Sequence, residues 1–177
     1  MSLEQELKEI IRDVVDFPKD GIVFKDLTTV LLYPELTKKV VRALANTIKE
    51  KPDAIAAIES RGFWFGTLLA QYLNVPFIPL RKKGKLPGAT DEIHYDLEYG
   101  KASIEIHKGH VQKNWKVMVH DDLLATGGTA IAAAQLLERQ GAKIHSFSFL
   151  VNLSFLEAEP LIKKTYPAVA LNSLVNY

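Results

Sequence analysis

The sequence predicts an α/β domain built on a mainly parallel sheet. Short apolar runs suited to buried strands recur at residues 54–58, 75–80, 115–120 and 143–151. Stretches of helical period alternate with them. That strand, turn, helix, strand order is the signature of crossover units.

Bulk properties bound the function. The 177 residues suit one compact domain. Lys and Arg total 22 and Asp and Glu total 21, for a formal charge of +1. That balance argues against a chain that wraps nucleic acid electrostatically. There is no cysteine, so disulfides, thiol catalysis and cysteine zinc sites are excluded, and a reducing cytoplasm is the natural setting. The N-terminal segment is charged and has no signal core. No stretch approaches the roughly 18 apolar residues of a membrane span.

The elements follow in order. Leu3, Leu7, Ile10, Ile11, Val14 and Val15 recur at helical spacing and predict a helix over 2–15. Asp16-Phe17-Pro18-Lys19-Asp20-Gly21 breaks it. Residues 22–32 are short and apolar. Pro34 opens a helix predicted over 35–50. A strand at 54–58 (AIAAI), a helix at 63–72 and a strand at 75–80 come next. Residues 81–92 (RKKGKLPGATDE) have no apolar period and suggest a mobile excursion. Residues 93–99 and 102–107 alternate well enough to pair around Gly100. A strand at 115–120 precedes a helix at 128–140, with Gly141 placed as its C-terminal cap. A strand at 143–151, a helix at 154–164 and a short apolar segment after Pro167 complete the chain. No stretch has the character of an interdomain linker.

One stretch carries chemistry. Asp121 and Asp122 fall at the carboxyl end of a predicted strand, where ligands sit in open parallel sheets. Ala125, Thr126, Gly127, Gly128 and Thr129 then lead into a helix N-terminus. Small residues let backbone N–H groups converge on an anion, and the helix dipole adds to the attraction. The carboxylates would repel that anion. They can instead accept hydrogen bonds from vicinal hydroxyls, or bind magnesium through water. A ribose 5-phosphate satisfies both halves. The loop is neither a Walker A motif nor G-x-G-x-x-G. The plain alternative is a polar turn with a helix cap.

On these residues the stretch resembles the signature of the phosphoribosyltransferases, the family that uses phosphoribosyl pyrophosphate. Three further segments resemble its adenine-specific branch: DFPKDGIVFKDLT (16–28), ESRGFWFG (59–66), and RKKGKLPGAT followed by YDLEYGKASIEI (81–106). Together they cover most of the chain. The resemblance implies a type I phosphoribosyltransferase fold, a mainly parallel twisted sheet flanked by helices. It implies one domain over 1–177, with a small N-terminal hood over about 1–32 and a flexible lid over about 82–100. The implied reaction joins adenine and phosphoribosyl pyrophosphate into AMP and pyrophosphate, in purine salvage. Implied with it are a cytoplasmic homodimer, small-molecule substrates, and no nucleic acid or membrane partner. Magnesium is expected from the chemistry, held mainly by substrate and water.

The resemblance also assigns residues. Asp121 and Asp122 take the ribose hydroxyls, and 125–129 take the 5′-phosphate. Glu59, Ser60, Arg61 and Gly62 form a pyrophosphate loop around a cis peptide, and Arg81 and Lys82 reach pyrophosphate, in the neighbouring subunit's site. Val23 and Lys25 offer backbone groups to the purine edge, and Phe24 and Leu123 sandwich its ring. Glu98 is the acid/base residue on the lid, positioned by Tyr99. Glu59 stands where the family usually has Asp, and Lys25 where it has Arg. His120 replaces an aliphatic residue and is expected to pack with its nitrogens satisfied, the other reading being an effect on the acid pair. His94, His107, His110 and His145 show no metal-ligand spacing. From pattern alone, Phe24 is core, 59–62 a turn with a surface arginine, and Glu98 an ordinary carboxylate. A transferase for xanthine or hypoxanthine–guanine, and a non-catalytic regulator that keeps the phosphoribosyl pyrophosphate site, are the rival functions.

Overall fold

The computed structural model describes residues 1–97 and 100–177. Helix α1 (Leu3–Ile10) opens on a capping box, with Ser2 Oγ accepting from the Gln5 N–H and Gln5 Oε1 accepting from the Ser2 N–H. Strand β1 (Arg12–Val15) pairs antiparallel with β2 (Val23–Asp26), making a separate two-stranded ribbon. Short α2 (Thr28–Leu31) and α3 (Pro34–Asn46) lead into β3 (Ala54–Ile58), α4 (Gly62–Leu73) and β4 (Phe77–Lys82). Strands β5 (Thr90–Leu97) and β6 (Gly100–His107) are antiparallel to one another. Then come β7 (Lys116–Leu124), α5 (Gly128–Arg139), β8 (Lys143–Asn152), α6 (Ala158–Thr165) and β9 (Ala170–Asn176).

Among the described residues, the main sheet has seven strands in the order β5-β6-β4-β3-β7-β8-β9. The five from β4 to β9 are parallel, and β6 joins β4 antiparallel. Helices cover both faces, so the central strands are apolar throughout rather than alternating. In β3, Ala54, Ala56 and Ile58 enter the core beneath α5, and Ile55 enters the core beneath α3 and α4. Gly141, at φ +93°, ends α5 in a Schellman turn: its N–H bonds to Glu138 O and the Ala142 N–H bonds to Leu137 O.

Several sequence expectations are corrected. The first helix stops at Ile10, because Arg12–Val15 pairs with Val23–Asp26. Arg12 bonds to Asp26 and Lys25 to Asp13 across this ribbon, and Val14 and Val15 are β-branched. The second helix ends at Asn46 rather than residue 50. Residues 81–92 are not a structureless excursion, since β4 runs to Lys82 and β5 starts at Thr90. Between them, the Lys85 and Leu86 N–H groups are held by Glu105 Oε1 at 2.9 and 2.8 Å. Strand β7 continues past His120 to Leu124, because β8 is long enough to pair Asp121 with Phe149 and Leu123 with Val151. The helix expected at 154–164 splits into a 3-10 turn (Ser154–Leu156) and α6 around Glu157, at φ +52°. The pairing expected around Gly100 and the α5 span agree with the structure.

Gly66 sets how closely α4 lies on the sheet. A Cβ there would stand 2.6 Å from Ala57 Cβ and 3.3 Å from the His120 ring. Gly66→Ala should lower stability by about 1–3 kcal/mol through overpacking, despite the gain of ~1 kcal/mol in helix propensity. Denaturant unfolding measures this.

Candidate active site

β3 is where the strand order reverses, with β4 on one side and β7 on the other. Loops leaving β3 and β7 diverge there and open a crevice. The loop after β3 is Glu59–Ser60–Arg61, whose Glu59–Ser60 peptide is cis. α4 begins immediately at Gly62. A Cβ on Gly62 would lie 2.7 Å from Asp121 Oδ1 and 3.2 Å from Asp121 Cα. Glycine therefore brings the start of α4 directly onto the acid pair.

The two acids are not equivalent. Asp121 Oδ1 accepts from the Asp122 N–H at 2.8 Å and remains partly open. Asp122 is 2% exposed, with Arg61 Nε 2.9 Å from its Oδ2. That contact is an ion pair without hydrogen-bond alignment, and Oδ2 has no hydrogen-bond partner. Burial, then the neighbouring Asp122 charge, pushes the Asp121 carboxyl well up from its ordinary value. Burial also raises Asp122, although Arg61 opposes it. In this structure, then, Asp122 serves Arg61, and Asp121 is the acid left to meet hydroxyls.

On the other side of the crevice, Gly127 N-caps α5 at φ +86° with no side-chain cap. The first intrahelical bond runs from the Ile131 N–H to Gly127 O at 3.0 Å. The N–H groups of Gly128, Thr129 and Ala130 therefore have no intrahelical acceptor and face the loop. A cavity of about 70 Å³ sits there, lined in part by Asp121, Leu123, Ala125, Thr126, Gly127 and Thr129. The structure thus brings the predicted anion turn and Asp121, one of the acid pair, to one small cavity. A Cβ on Gly127 would stand 3.3 Å from Ala158 Cβ.

Glu59 is tied to β4 through its side chain. Its carboxylate accepts from Arg81 Nη2 and from the Lys82 N–H, both at 2.8 Å. Burial alone would raise it, but these donors outweigh burial and hold it below its ordinary value. The Glu59 carboxylate thus orients Arg81. Arg81 Nη1 donates to Lys85 O at 2.9 Å. Arg61 Nη1 and Arg81 Nε are buried donors without hydrogen-bond partners among the described residues. They are donors available to an anion.

In the hood, Val23 and Lys25 share parity on β2, so their backbone groups lie along the same strand edge. Lys25 Nζ is held by Asp13 at 2.7 Å and sits 3.9 Å from the Tyr177 ring centre. Its side chain is thus spent inside the hood. The ring of Phe24 meets Phe17 edge-on, with centroids 5.1 Å apart. The Arg61 guanidinium lies 4.9 Å from the Phe24 ring centre. Leu123 lines the 125–129 cavity, so it groups with the phosphate turn while Phe24 groups with Arg61. Sequence reasoning missed Asp13, Phe17 and Tyr177, since a helix over 2–15 hid the ribbon that assembles them. Glu98 and Tyr99 lie outside the described residues.

His120 is fully buried, with Nδ1 3.4 Å from Ser148 Oγ and Nε2 without a partner. The expectation that both nitrogens are satisfied is corrected. Burial lowers its pKa to about 4, so the ring is neutral beside the acids.

A reversal-point crevice with an anion turn beside an acid pair defines a phosphoribosyl-transfer class of domain. A family model described as the phosphoribosyl transferase domain matches residues 28–164. The adenine phosphoribosyltransferase of Cytophaga hutchinsonii is 46% identical over 176 residues, covering 99% of this chain and 96% of that protein. The crystal structure of the Thermoanaerobacter pseudethanolicus adenine phosphoribosyltransferase superposes with a TM-score of 0.92 at 44% identity, over 99% of this chain and 100% of that one. The Saccharomyces cerevisiae enzyme, solved with adenine and an iminoaltritol bisphosphate, gives 0.89 at 35% identity, over 97% and 98%. The chain belongs to the adenine phosphoribosyltransferase family.

Two outcomes are expected. Gly127→Val should weaken ribose 5-phosphate binding about a hundredfold, by forcing a branched side chain into a positive-φ position and spoiling roughly two charge-assisted bonds. Calorimetric titration reads it. For His120 the folded pKa lies below the unfolded value of 6.5. The neutral ring's contribution is therefore full above that value and is lost as pH falls toward 4. The loss is about 3 kcal/mol. In His120→Leu that part of the acid sensitivity should vanish, so the difference between the two unfolding-versus-pH curves should trace it.

Proposed function

We propose that this protein transfers the 5-phosphoribosyl group of phosphoribosyl pyrophosphate to N9 of adenine, releasing AMP and pyrophosphate, in purine salvage. The observation that carries the reading is the meeting of acid pair, anion turn and arginine-bearing loop at one crevice, with Gly62 against Asp121. Membership of the family supports adenine as the base.

The geometry supports roles for the described residues, and the family resemblance supplies those of Glu98 and Tyr99. The α5 N-terminus takes the 5′-phosphate through its free N–H groups. Asp121 accepts from the ribose hydroxyls, and Asp122 joins it once Arg61 turns to the leaving group. Arg61 and Arg81 supply unpartnered donors to pyrophosphate. Phe24 stacks on the purine, a contact worth about 1–3 kcal/mol. As N9 bonds to C1′, the C1′–oxygen bond to pyrophosphate breaks, and the purine loses one proton overall. Glu98 is assigned that proton transfer, with Tyr99 positioning it. Such a group contributes about 10²–10⁴ in rate.

Magnesium belongs to the same proposal. Among the described residues no group of three or more His, Asp or Glu is placed to hold a metal. Asp121, the acid that lines the cavity, would meet through water an ion that arrives on the substrate. When bound, magnesium neutralises charge on the leaving pyrophosphate. A homodimer is also proposed, supported by the exposed Leu68 and Tyr72 on α4. No helix among the described residues is long and apolar enough to cross a membrane. A cytoplasmic setting is proposed on the cysteine-free sequence.

The test is AMP formation from each purine with labelled phosphoribosyl pyrophosphate and magnesium. Adenine should be used best. Preference for xanthine, hypoxanthine or guanine would replace adenine in the proposal, and no transfer to any purine would leave a regulator. Glu98→Gln should lower kcat by about 10²–10⁴ with a smaller change in KM. Unchanged turnover would remove Glu98 from the chemistry.

A further inference from the structure

Glu105 belongs to none of the roles above, yet it is a carboxylate only 4% exposed. It lies on β6 opposite Arg81 of β4 and opposite Glu92 of β5, where the parallel sheet joins the antiparallel pair. Its partners are backbone N–H groups and a hydroxyl rather than a cation. Oε1 accepts from Lys85 at 2.9 Å and Leu86 at 2.8 Å, and Oε2 accepts from Thr90 Oγ1 at 3.3 Å. Gly84 contributes a further backbone N–H. Burial alone would raise this carboxyl, but the N–H groups outweigh burial and keep it below its ordinary value.

Consecutive N–H groups converging on an anion form a nest, which fixes the local chain direction. Here the nest closes a turn in which the Lys85 N–H bonds to Lys82 O, with Gly84 at φ +80° in its third position. Lys85 is then held at both ends of its peptide groups. Its N–H goes to Glu105 and its C=O accepts from Arg81 Nη1. Arg81 in turn holds Glu59, and Glu59 holds the Lys82 N–H. These bonds form one continuous circuit from β6 to the loop before α4.

We propose that Glu105 is a positioning residue for pyrophosphate, its carboxylate clamping the 84–86 turn so that Lys85 sets Arg81 and Arg81 sets Glu59 and the loop it begins. The inference rests on the transferase reading for its ligand, but the clamp itself does not. A charged acceptor suits the task, because two N–H groups converge on one oxygen and a neutral amide oxygen holds them more weakly. Arg81 would then keep its bond to Glu59 while losing a fixed Lys85 carbonyl, and its guanidinium would be less firmly placed.

The full chain and the variants Glu105→Gln and Glu105→Asp test this. Amide hydrogen exchange is followed at Lys85 and Leu86, magnesium pyrophosphate is titrated calorimetrically, and KM for adenine is measured. Glu105→Gln should speed exchange at both amides and weaken pyrophosphate about tenfold, with KM for adenine little changed. Glu105→Asp keeps the charge and should recover part of both effects. Faster exchange with unchanged pyrophosphate affinity overturns the coupling, and unchanged exchange overturns the clamp. If the Gln variant fails to fold, the Asp variant is judged on the same two readouts, with intermediate losses expected. A wild-type chain that makes no AMP and binds no pyrophosphate defeats the transferase reading instead, and exchange alone then decides the clamp.

Discussion

The first two turns of α4 can reach the sheet only because Gly62 and Gly66 carry no side chain. Gly66 lets the helix settle on Ala57 and the His120 ring, and Gly62 lets its first residue touch Asp121. The rest of the crevice follows from that approach. It fixes where the loop after β3 must lie, and so where Arg61 meets Asp122. A helix standing one side chain further out would leave the two halves of the crevice too far apart to grip one ligand.

Close approach also buries charge, which is costly unless paired. Asp122 finds Arg61, and Glu59 finds Arg81 and a backbone donor. Asp121 is left with a single N–H and a carboxyl raised by its surroundings. Two guanidinium nitrogens have no acceptor among the described residues, while Asp121 has a single donor. A molecule with an anion at one end and hydroxyls at the other relieves both, so the site is incomplete in the chemical sense its substrate would complete.

Much of this was legible in the sequence. AIAAI could only be a strand buried on both faces, and T-G-G-T before a helical period could only be a turn into a helix. The acid pair and the turn were found together because they are neighbours in the chain. What escaped depends on pairing between distant segments. Leu3 to Val15 has a helical period throughout, but the charges of Arg12 and Asp13 are matched by Asp26 and Lys25 on another strand. Local spacing carries no trace of that match. The lysine- and glycine-rich 81–92 stretch lacks apolar period, yet its order comes from a carboxylate some 20 residues further along. The roles of Glu59 and His120 were likewise set by neighbours on other strands.

Arg61 touches both an acid and an aromatic face, lying 2.9 Å from Asp122 and 4.9 Å from the centre of the Phe24 ring. A flat molecule taking the face of Phe24 beside Arg61 would displace the guanidinium, and displacement would strip Asp122 of its counter-charge. Filling the aromatic side of the crevice would thereby alter the electrical state of the acid side. Neither half is a separate receptor, and affinities measured for isolated fragments of the ligand need not add up to that of the whole.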